Sequence, residues 1–300
     1  MSSLSTSKPT APGRQGNDGP KPAPGLYLVA TPIGNLKDIT LRALEVLAAA
    51  DLVLCEDTRV SAKLLQAHGL SPRLKPYHEH NAARTRPEII RRIENGEAVA
   101  LISDAGTPLV SDPGYKLVRA CRDEGLNVTT LPGASAALAG LLLSGLPSDR
   151  FLFAGFLPPK SAARKAALQE LASVPATLIF FESQNRLAAT LADMAAVLGD
   201  REAAVLRELT KRFEEARPGP LSELAAHYAE AGPPKGEIVI AVGPPGEEAR
   251  PGAGELDDLL AATLEEASLR DAVARVTAET GLPRKQVYAR ALELEKGRGG

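Results

Sequence analysis

Ala98-Val99-Ala100-Leu101-Ile102, then Ser103-Asp104-Ala105-Gly106-Thr107-Pro108-Leu109-Val110 and Ser111-Asp112-Pro113-Gly114, is the stretch whose reading decides the fold. An apolar run bounded by turn residues reads as a strand buried on both faces. Such strands belong to parallel sheets, whose ligands sit just beyond the carboxyl ends. Two Ser-Asp turns rich in Gly and Pro therefore fall where a small molecule docks. Asp112-Pro113 has the form of an N-cap and first helical residue ahead of a helix over 115–124. That reading gives Asp112 a capping role and leaves Asp104 as the acid able to accept hydrogen bonds from ligand hydroxyls.

Working outward, short apolar runs predict further strands over 26–30, 52–55, 74–77 and 128–131. Helices separate them. Leu41, Leu44, Leu47 and Ala48 share one helical face, and Thr85-x-x-Glu88 with Pro87 reads as a capping box opening a helix that stops near Asn95-Gly96. Strand and helix in alternation predict an α/β fold with a mainly parallel sheet, here an N-terminal domain over 25–146. The loops Thr31 to Asn35, Glu56 to Arg59, His78 to Asn81, Ser103 to Gly114 and Pro132 to Ala136 would then share one rim.

After Leu146-Pro147-Ser148-Asp149, strands over 151–153, 177–181, 203–206 and 238–242 predict a second α/β domain over 147–242. Residues 243–254 are a Pro- and Gly-rich linker, and 255–300 a helical extension. Within it Leu269, Ala272, Val273 and Val276 form one stripe, Gly281-Leu282-Pro283 a turn, and Val287, Tyr288, Ala291 and Leu292 a second stripe, the spacing of a helix-turn-helix. Residues 1–24 are rich in Ser, Pro and Gly, without the charged and apolar regions of a secretory signal or a span, and read as a disordered tail.

The 300 residues are 44% hydrophobic, enough for a sizeable core, and the net charge of −2 means that any nucleic-acid partner must be met by local basic patches. Cys55 and Cys121 form no Cys-x-x-Cys pair, which points to a reducing, cytoplasmic setting. No strand is followed by a dinucleotide or P-loop glycine motif, so NAD and ATP lack their cradle. His78 and His80 have no third ligand nearby and read as substrate contacts or a proton acceptor rather than a metal site. Glu56-Asp57-Thr58-Arg59 sets two carboxylates and a guanidinium after a buried strand. Lys211, in Leu209-Thr210-Lys211, reads as a phosphate contact or a surface charge.

These motifs carry a resemblance that spans nearly everything from Gly25 to Val242. They are Ala30 to Leu36 with Asp38-Ile39-Thr40, Glu56 to Arg59, His78 to Asn81, Ser103 to Gly114, Pro132 to Ala136, Ser144-Gly145, Gly155-Phe156-Leu157-Pro158, Arg207 to Lys211 and Gly236-Glu237. The chain resembles the tetrapyrrole methylase superfamily. Thr31-Pro32-Ile33-Gly34-Asn35 replaces the G-x-G-P-G loop of the tetrapyrrole-modifying members and has the form seen in the RNA-modifying branch.

The resemblance implies two α/β domains with S-adenosylmethionine in the cleft between them, and a homodimer. It places the cofactor against Pro32, Ile33, Gly34, Asp104, Gly106, Thr107, Ser135 and Ala136, with Phe181 and Leu209 approaching from the second domain. The implied reaction is 2′-O-methylation of a cytidine ribose in the decoding region of 16S rRNA, on the RNA or the assembled small ribosomal subunit, with no membrane partner. Such a reaction needs a base for the 2′-hydroxyl, for which Asp57, Glu56 and His80 are candidates, with Arg59 and Lys211 holding phosphates or orienting carboxylates. Residues 270–290 carry five basic against two acidic residues, a positive bias suited to RNA. Two other readings stand beside this one: a corrin or porphyrin methyltransferase, and a non-catalytic S-adenosylmethionine-binding ribosome-assembly factor.

Overall fold

A computed structural model describes residues 21–246, 253–280 and 282–298. Residues 1–20 of the expected 1–24 tail, linker residues 247–252, the turn residue Gly281 and the last two residues of the expected extension, 299–300, lie outside the described residues. Two compact units divide the chain between Ser135 and Ala136.

The first unit runs β1 (Gly25–Val29), α1 (Leu41–Ala49), β2 (Leu52–Cys55), α2 (Thr58–Ala67), β3 (Leu74–Pro76), α3 (Glu79–Glu94), β4 (Ala98–Ile102), α4 (Tyr115–Asp123) and β5 (Val128–Leu131). Its sheet has the order β3-β2-β4-β1-β5, and every pairing is parallel. The continuous apolar runs are explained by burial on both faces. Leu52, Leu54, Val99 and Leu101 pack with Ile89 and Ile93 of α3 and Leu117 and Cys121 of α4. The alternate residues Val53, Cys55, Ala100 and Ile102 pack with Ala43 and Leu47 of α1 and Leu65 of α2. The chain leaves β1 toward one face and β4 toward the other, so the switch point, where open α/β sheets take their ligands, lies between these neighbours.

Two helix starts differ from expectation. Helix α3 opens at Glu79, before the expected Thr85 capping box, because Asn81 Oδ1 accepts the His78 N–H at 3.0 Å while Asn81 Nδ2 donates to Pro76 O at 3.0 Å. Thr85 is buried mid-helix and Pro87 lies inside, where its missing donor frees the carbonyl of Ala83, an exposed residue that water can serve. Helix α4 is capped by Gly114, not Asp112. Leu109 (φ 72°), Ser111 (φ 62°) and Gly114 (φ 139°) carry the chain through left-handed turns that delay the helix to Tyr115 and turn the Asp112 side chain to another partner.

The second unit opens with α5 (Ala136–Ser144), ahead of the boundary expected after residue 146. Its Gly140 allows close packing, since a Cβ there would lie 2.7 Å from Val239 Cγ1. There follow β6 (Phe151–Phe156), α6 (Ser161–Leu171), β7 (Thr177–Glu182), α7 (Leu187–Leu198), β8 (Glu202–Arg207), β9 (Glu215–Pro220), α8 (Leu221–Ala231) and β10 (Ile238–Val242). The sheet order is β6-β7-β10-β8-β9, parallel only between β6 and β7. Strand β9, Glu-Ala-Arg-Pro-Gly-Pro, was not expected; it sits at the sheet edge, where proline costs no ladder bond.

Helices α9 (Ala253–Glu266), α10 (Leu269–Thr280) and α11 (Arg284–Arg298) enclose a core of Leu256, Leu260, Val273, Val276, Leu282, Val287 and Ala291. Tyr288, expected in the stripe, is exposed instead. Arg290 ties α11 to α9 through Asp257, with both bonds at 2.6 Å. Helix α9 begins two residues inside the expected linker. Among the described residues no helix is long and apolar enough to cross a membrane.

Candidate functional site

All five loops anticipated on one rim leave the carboxyl edge of the first sheet, because its strands are parallel. At the switch point Thr31 and Gly106 form an isolated antiparallel bridge, Thr31 N to Gly106 O at 2.9 Å and Gly106 N to Thr31 O at 3.1 Å. Thr31 Oγ1 also donates to Ser103 O at 3.0 Å. Thr107 Oγ1 donates to Ala134 O at 3.1 Å, and Asp57 N–H donates to Asp104 Oδ1 at 3.2 Å. The loops after β1, β2, β4 and β5 are thus fastened to one another through the Ser103–Thr107 turn.

That turn is shaped as a cradle. Gly106 has φ 86°, and a Cβ on it would stand 3.1 Å from Ile33 Cγ2 and 3.6 Å from Ala134 O. Pro32 and Ile33 are buried beside it, Gly34 is exposed, and Thr107, Ser135 and Ala136 are half-buried. Leu109 and Ser111, non-glycine residues at positive φ, add local strain of the kind that persists where surrounding structure over-determines the backbone.

Beside the cradle stands an acidic group. Glu56, Tyr77, Ser103, Pro108 and Asp112 line a cavity of about 10 Å³, room for one water molecule. Ser103 Oγ donates to Asp112 Oδ2 and accepts the Ala105 N–H at 3.1 Å. Desolvation at the rim pushes the Glu56 carboxyl above its ordinary range, and the charges of Asp112 and Asp104 push it further against the opposing influence of His78. Asp104 and Asp112 are raised by burial too, opposed by the hydrogen bonds from Asp57 N–H and Ser103 respectively.

Asp57 has a different surrounding. It caps α2, accepting Arg59 N–H at 2.8 Å, and its carboxylate receives Arg59 Nε at 3.1 Å and an Arg59 terminal nitrogen at 2.6 Å. These bonds hold it down to about 2. Arg59 is otherwise exposed. His80 is exposed on the first turn of α3; half-buried His78, its ring centroid 6.0 Å away, is the imidazole whose charge reaches Glu56.

In the second unit Lys211 Nζ lies between Glu208 Oε1 at 2.8 Å and Glu237 Oε2 at 3.0 Å, neither an open charge nor one unclaimed for phosphate. Phe181 is half-buried between Phe153 and Phe156, ring centroids 4.7 and 5.6 Å away, and Leu209 is buried. The reading of the sequence missed Ser103 and misassigned Asp112. The signal was the doubled Ser-Asp, which places a hydroxyl nine residues from a carboxylate across one loop.

Residues 25–225 match the family model for Tetrapyrrole (Corrin/Porphyrin) Methylases, and residues 250–295 match the RsmI C-terminal HTH domain. The chain is 56% identical over 277 residues to Ribosomal RNA small subunit methyltransferase I of Mesorhizobium japonicum, covering 92% of this chain and 94% of that protein. It is 46% identical to the protein of the same name from Escherichia coli O157:H7, over 90% of this chain and 95% of that one. Among solved structures, uroporphyrin-III C-methyl transferase from Thermus thermophilus, complexed with S-adenyl homocysteine, shares the fold with a TM-score of 0.51, 22% identity, and coverage of 72% of this chain and 96% of that one. By its sequence over most of its length, and by the α/β architecture that carries the rim, the chain belongs to the tetrapyrrole (corrin/porphyrin) methylase family.

Proposed function

We propose that the protein is an S-adenosylmethionine-dependent methyltransferase that modifies the 2′-oxygen of a cytidine ribose in the decoding region of 16S rRNA, acting in the cytoplasm as a homodimer. The observation that carries this reading is the rim: a glycine cradle at the switch point with a raised carboxyl beside it, in a chain about half identical to ribosomal RNA small subunit methyltransferases.

The cradle fits the cofactor. Gly106, having no Cβ, lets the turn lie close against Ile33 and Ala134, and Asp104 offers a half-buried carboxylate to ribose hydroxyls while Asp57 N–H holds one of its oxygens. Pro32, Ile33, Gly34, Thr107, Ser135 and Ala136 complete that surface, and the proposal extends to Phe181 and Leu209 of the second unit. When bound, S-adenosylmethionine supplies an electrophilic methyl group. What the chain itself supplies is orientation and a proton acceptor. Of the three candidate bases, Glu56 is the choice. Its raised carboxyl is the better proton acceptor, whereas Asp57 is held near 2 by Arg59, and His80 points from an exposed helical turn. Arg59 remains free on its outer side to meet a phosphate, and Lys211 acts by ordering its own loop. In the helical extension Arg290 is committed to Asp257, so RNA contact falls to exposed Arg270, Arg275, Arg284 and Lys285.

Labelled S-adenosylmethionine incubated with small subunits from cells lacking the protein tests the reading: label on one cytidine ribose supports it, and label on no RNA ends it. Gly106→Val gives a second expected outcome. A β-branched residue at φ 86° costs about 1–2 kcal/mol in backbone strain and also crowds Ile33. Stability, measured by denaturant titration, should fall by that amount, and affinity for S-adenosylhomocysteine, measured by titration calorimetry, should fall as the turn shifts away from Ile33.

A further inference from the structure

The loop joining β8 to β9 holds two non-glycine residues in the left-handed region, Glu208 at φ 51° and Thr210 at φ 65°. Such backbone costs energy and survives only where its surroundings fix it. Here they do. Glu208 N–H donates to Glu237 O at 3.0 Å, Lys211 N–H to Glu208 O at 2.9 Å and Glu214 N–H to Lys211 O at 3.1 Å. Thr210 N–H donates to Glu214 Oε2 at 2.6 Å, and Lys211 Nζ clamps Glu208 and Glu237 together. Gly236 leaves room for the clamp, because a Cβ there would lie 2.4 Å from Glu208 Cγ.

What this rigid loop displays is a pair. Phe213 is 64% exposed, and the Arg212 guanidinium carbon lies 5.5 Å from its ring centroid. Lys211 occupies Glu208 and Glu237, and among the described residues Arg212 has no ion-pair partner. Along the chain the ring is flanked by exposed Arg212 and Glu214 rather than by further apolar residues, unlike the apolar core of a protein–protein contact. A fixed aromatic face with an unpaired guanidinium above it matches the way unpaired bases are held, by stacking and by cation contact to phosphate.

We propose that Arg212 and Phe213 form a platform for one unpaired nucleotide of the RNA substrate, its base stacked on Phe213 and its phosphate met by Arg212. This rests on the RNA-methylation reading above and adds to it the element that grips the strand.

The test uses the full chain, small subunits from cells lacking it, and deproteinised 16S rRNA, with both equilibrium binding and steady-state kinetics. Phe213→Ala should weaken RNA binding and raise the subunit KM about tenfold, with kcat and S-adenosylhomocysteine affinity within about twofold of wild type. Phe213→Tyr should restore binding and Phe213→Leu should not. Arg212→Ala should weaken binding and flatten its salt dependence, while Arg212→Lys retains most of that dependence. The proposal falls if Phe213→Ala binds as wild type, if Phe213→Leu restores binding, or if affinity is lost for assembled subunits but kept for deproteinised rRNA. Wild-type protein that methylates RNA while Phe213→Ala is unchanged overturns the platform alone. Wild-type protein that neither binds nor labels RNA overturns both.

Discussion

Glu56→Gln is expected to lower kcat by roughly 10²- to 10⁴-fold, the usual contribution of a positioned general base, with S-adenosylhomocysteine affinity nearly unchanged. Asp57→Asn should cost far less in turnover, because a carboxylate held near 2 by Arg59 is a weak acceptor. In the wild type kcat should rise with pH through the Glu56 value, above the ordinary carboxylate range, and level off beyond it. The stability prediction has the opposite sign. Folding raises the affinity of Glu56 for its proton, so its contribution to stability is greatest in acid. That contribution declines as pH rises from the unfolded carboxylate value through the elevated folded one. Gln carries no such penalty, so the variant should be at least as stable as wild type at pH 7, the gain being small because Glu56 is exposed. A variant inactive and unfolded together would count against the assignment; denaturant titration beside the kinetics distinguishes the two.

Arg164→Met should destabilise the second unit by about 3–5 kcal/mol, the cost of leaving a buried charge without its partner. Arg164 is 4% exposed, donates Nε to Asp193 Oδ2 at 2.7 Å and a terminal nitrogen to Pro159 O at 3.1 Å. Asp193 keeps Ser161 Oγ at 2.9 Å and Lys165 at 3.4 Å, which places the loss toward the lower end of the range. Burial alone would raise the Asp193 carboxyl, but hydrogen bonds from Ser161 and Arg164 hold it below its ordinary value. Its stabilising effect is therefore present at neutral pH and lost as pH falls through that lowered value, so the wild type and Arg164→Met should converge in acid. Asp193→Leu in the Arg164→Met background should recover most of the loss, because it removes the orphaned charge. Unfolding curves at pH 7 and in acid measure all of this, and a single variant as stable as wild type would contradict the buried-pair account.

The central strands of the first unit were legible because burial on both faces leaves no polar residue inside a run, so Leu52 to Cys55 and Ala98 to Ile102 end where turn chemistry begins. Strand β9 was not legible, since an edge strand paired on one side needs neither apolar alternation nor an absence of proline. The start of α3 differs from the sequence reading because the decisive bond is donated by the His78 amide to the Asn81 side-chain oxygen, while the more familiar Thr-x-x-Glu pattern lies six residues on. For the site, sequence placed the five loops on one sheet edge but ranked their acids only by type. Glu56 and Asp57 are neighbours in the chain, yet one faces Asp112 and Asp104 and the other Arg59. That difference is tertiary. Asp112 illustrates the same limit, since capping or bonding to Ser103 depends on the positive φ of Ser111, which no residue type announces.

Strand order has a consequence for synthesis. β1, the first strand to be made, pairs only with β4 and β5, the last two of its sheet. A growing chain that has reached β3 can pair none of its β1 backbone groups in the native way, and the Thr31–Gly106 bridge must close across 75 residues. The apolar Leu26 to Val29 segment therefore waits with one edge open until Ile102 has been added and the other until Leu131. An N-terminal piece ending at β3 therefore lacks every native pairing of β1, and the loops of the rim can take their places only when the middle of the sheet does.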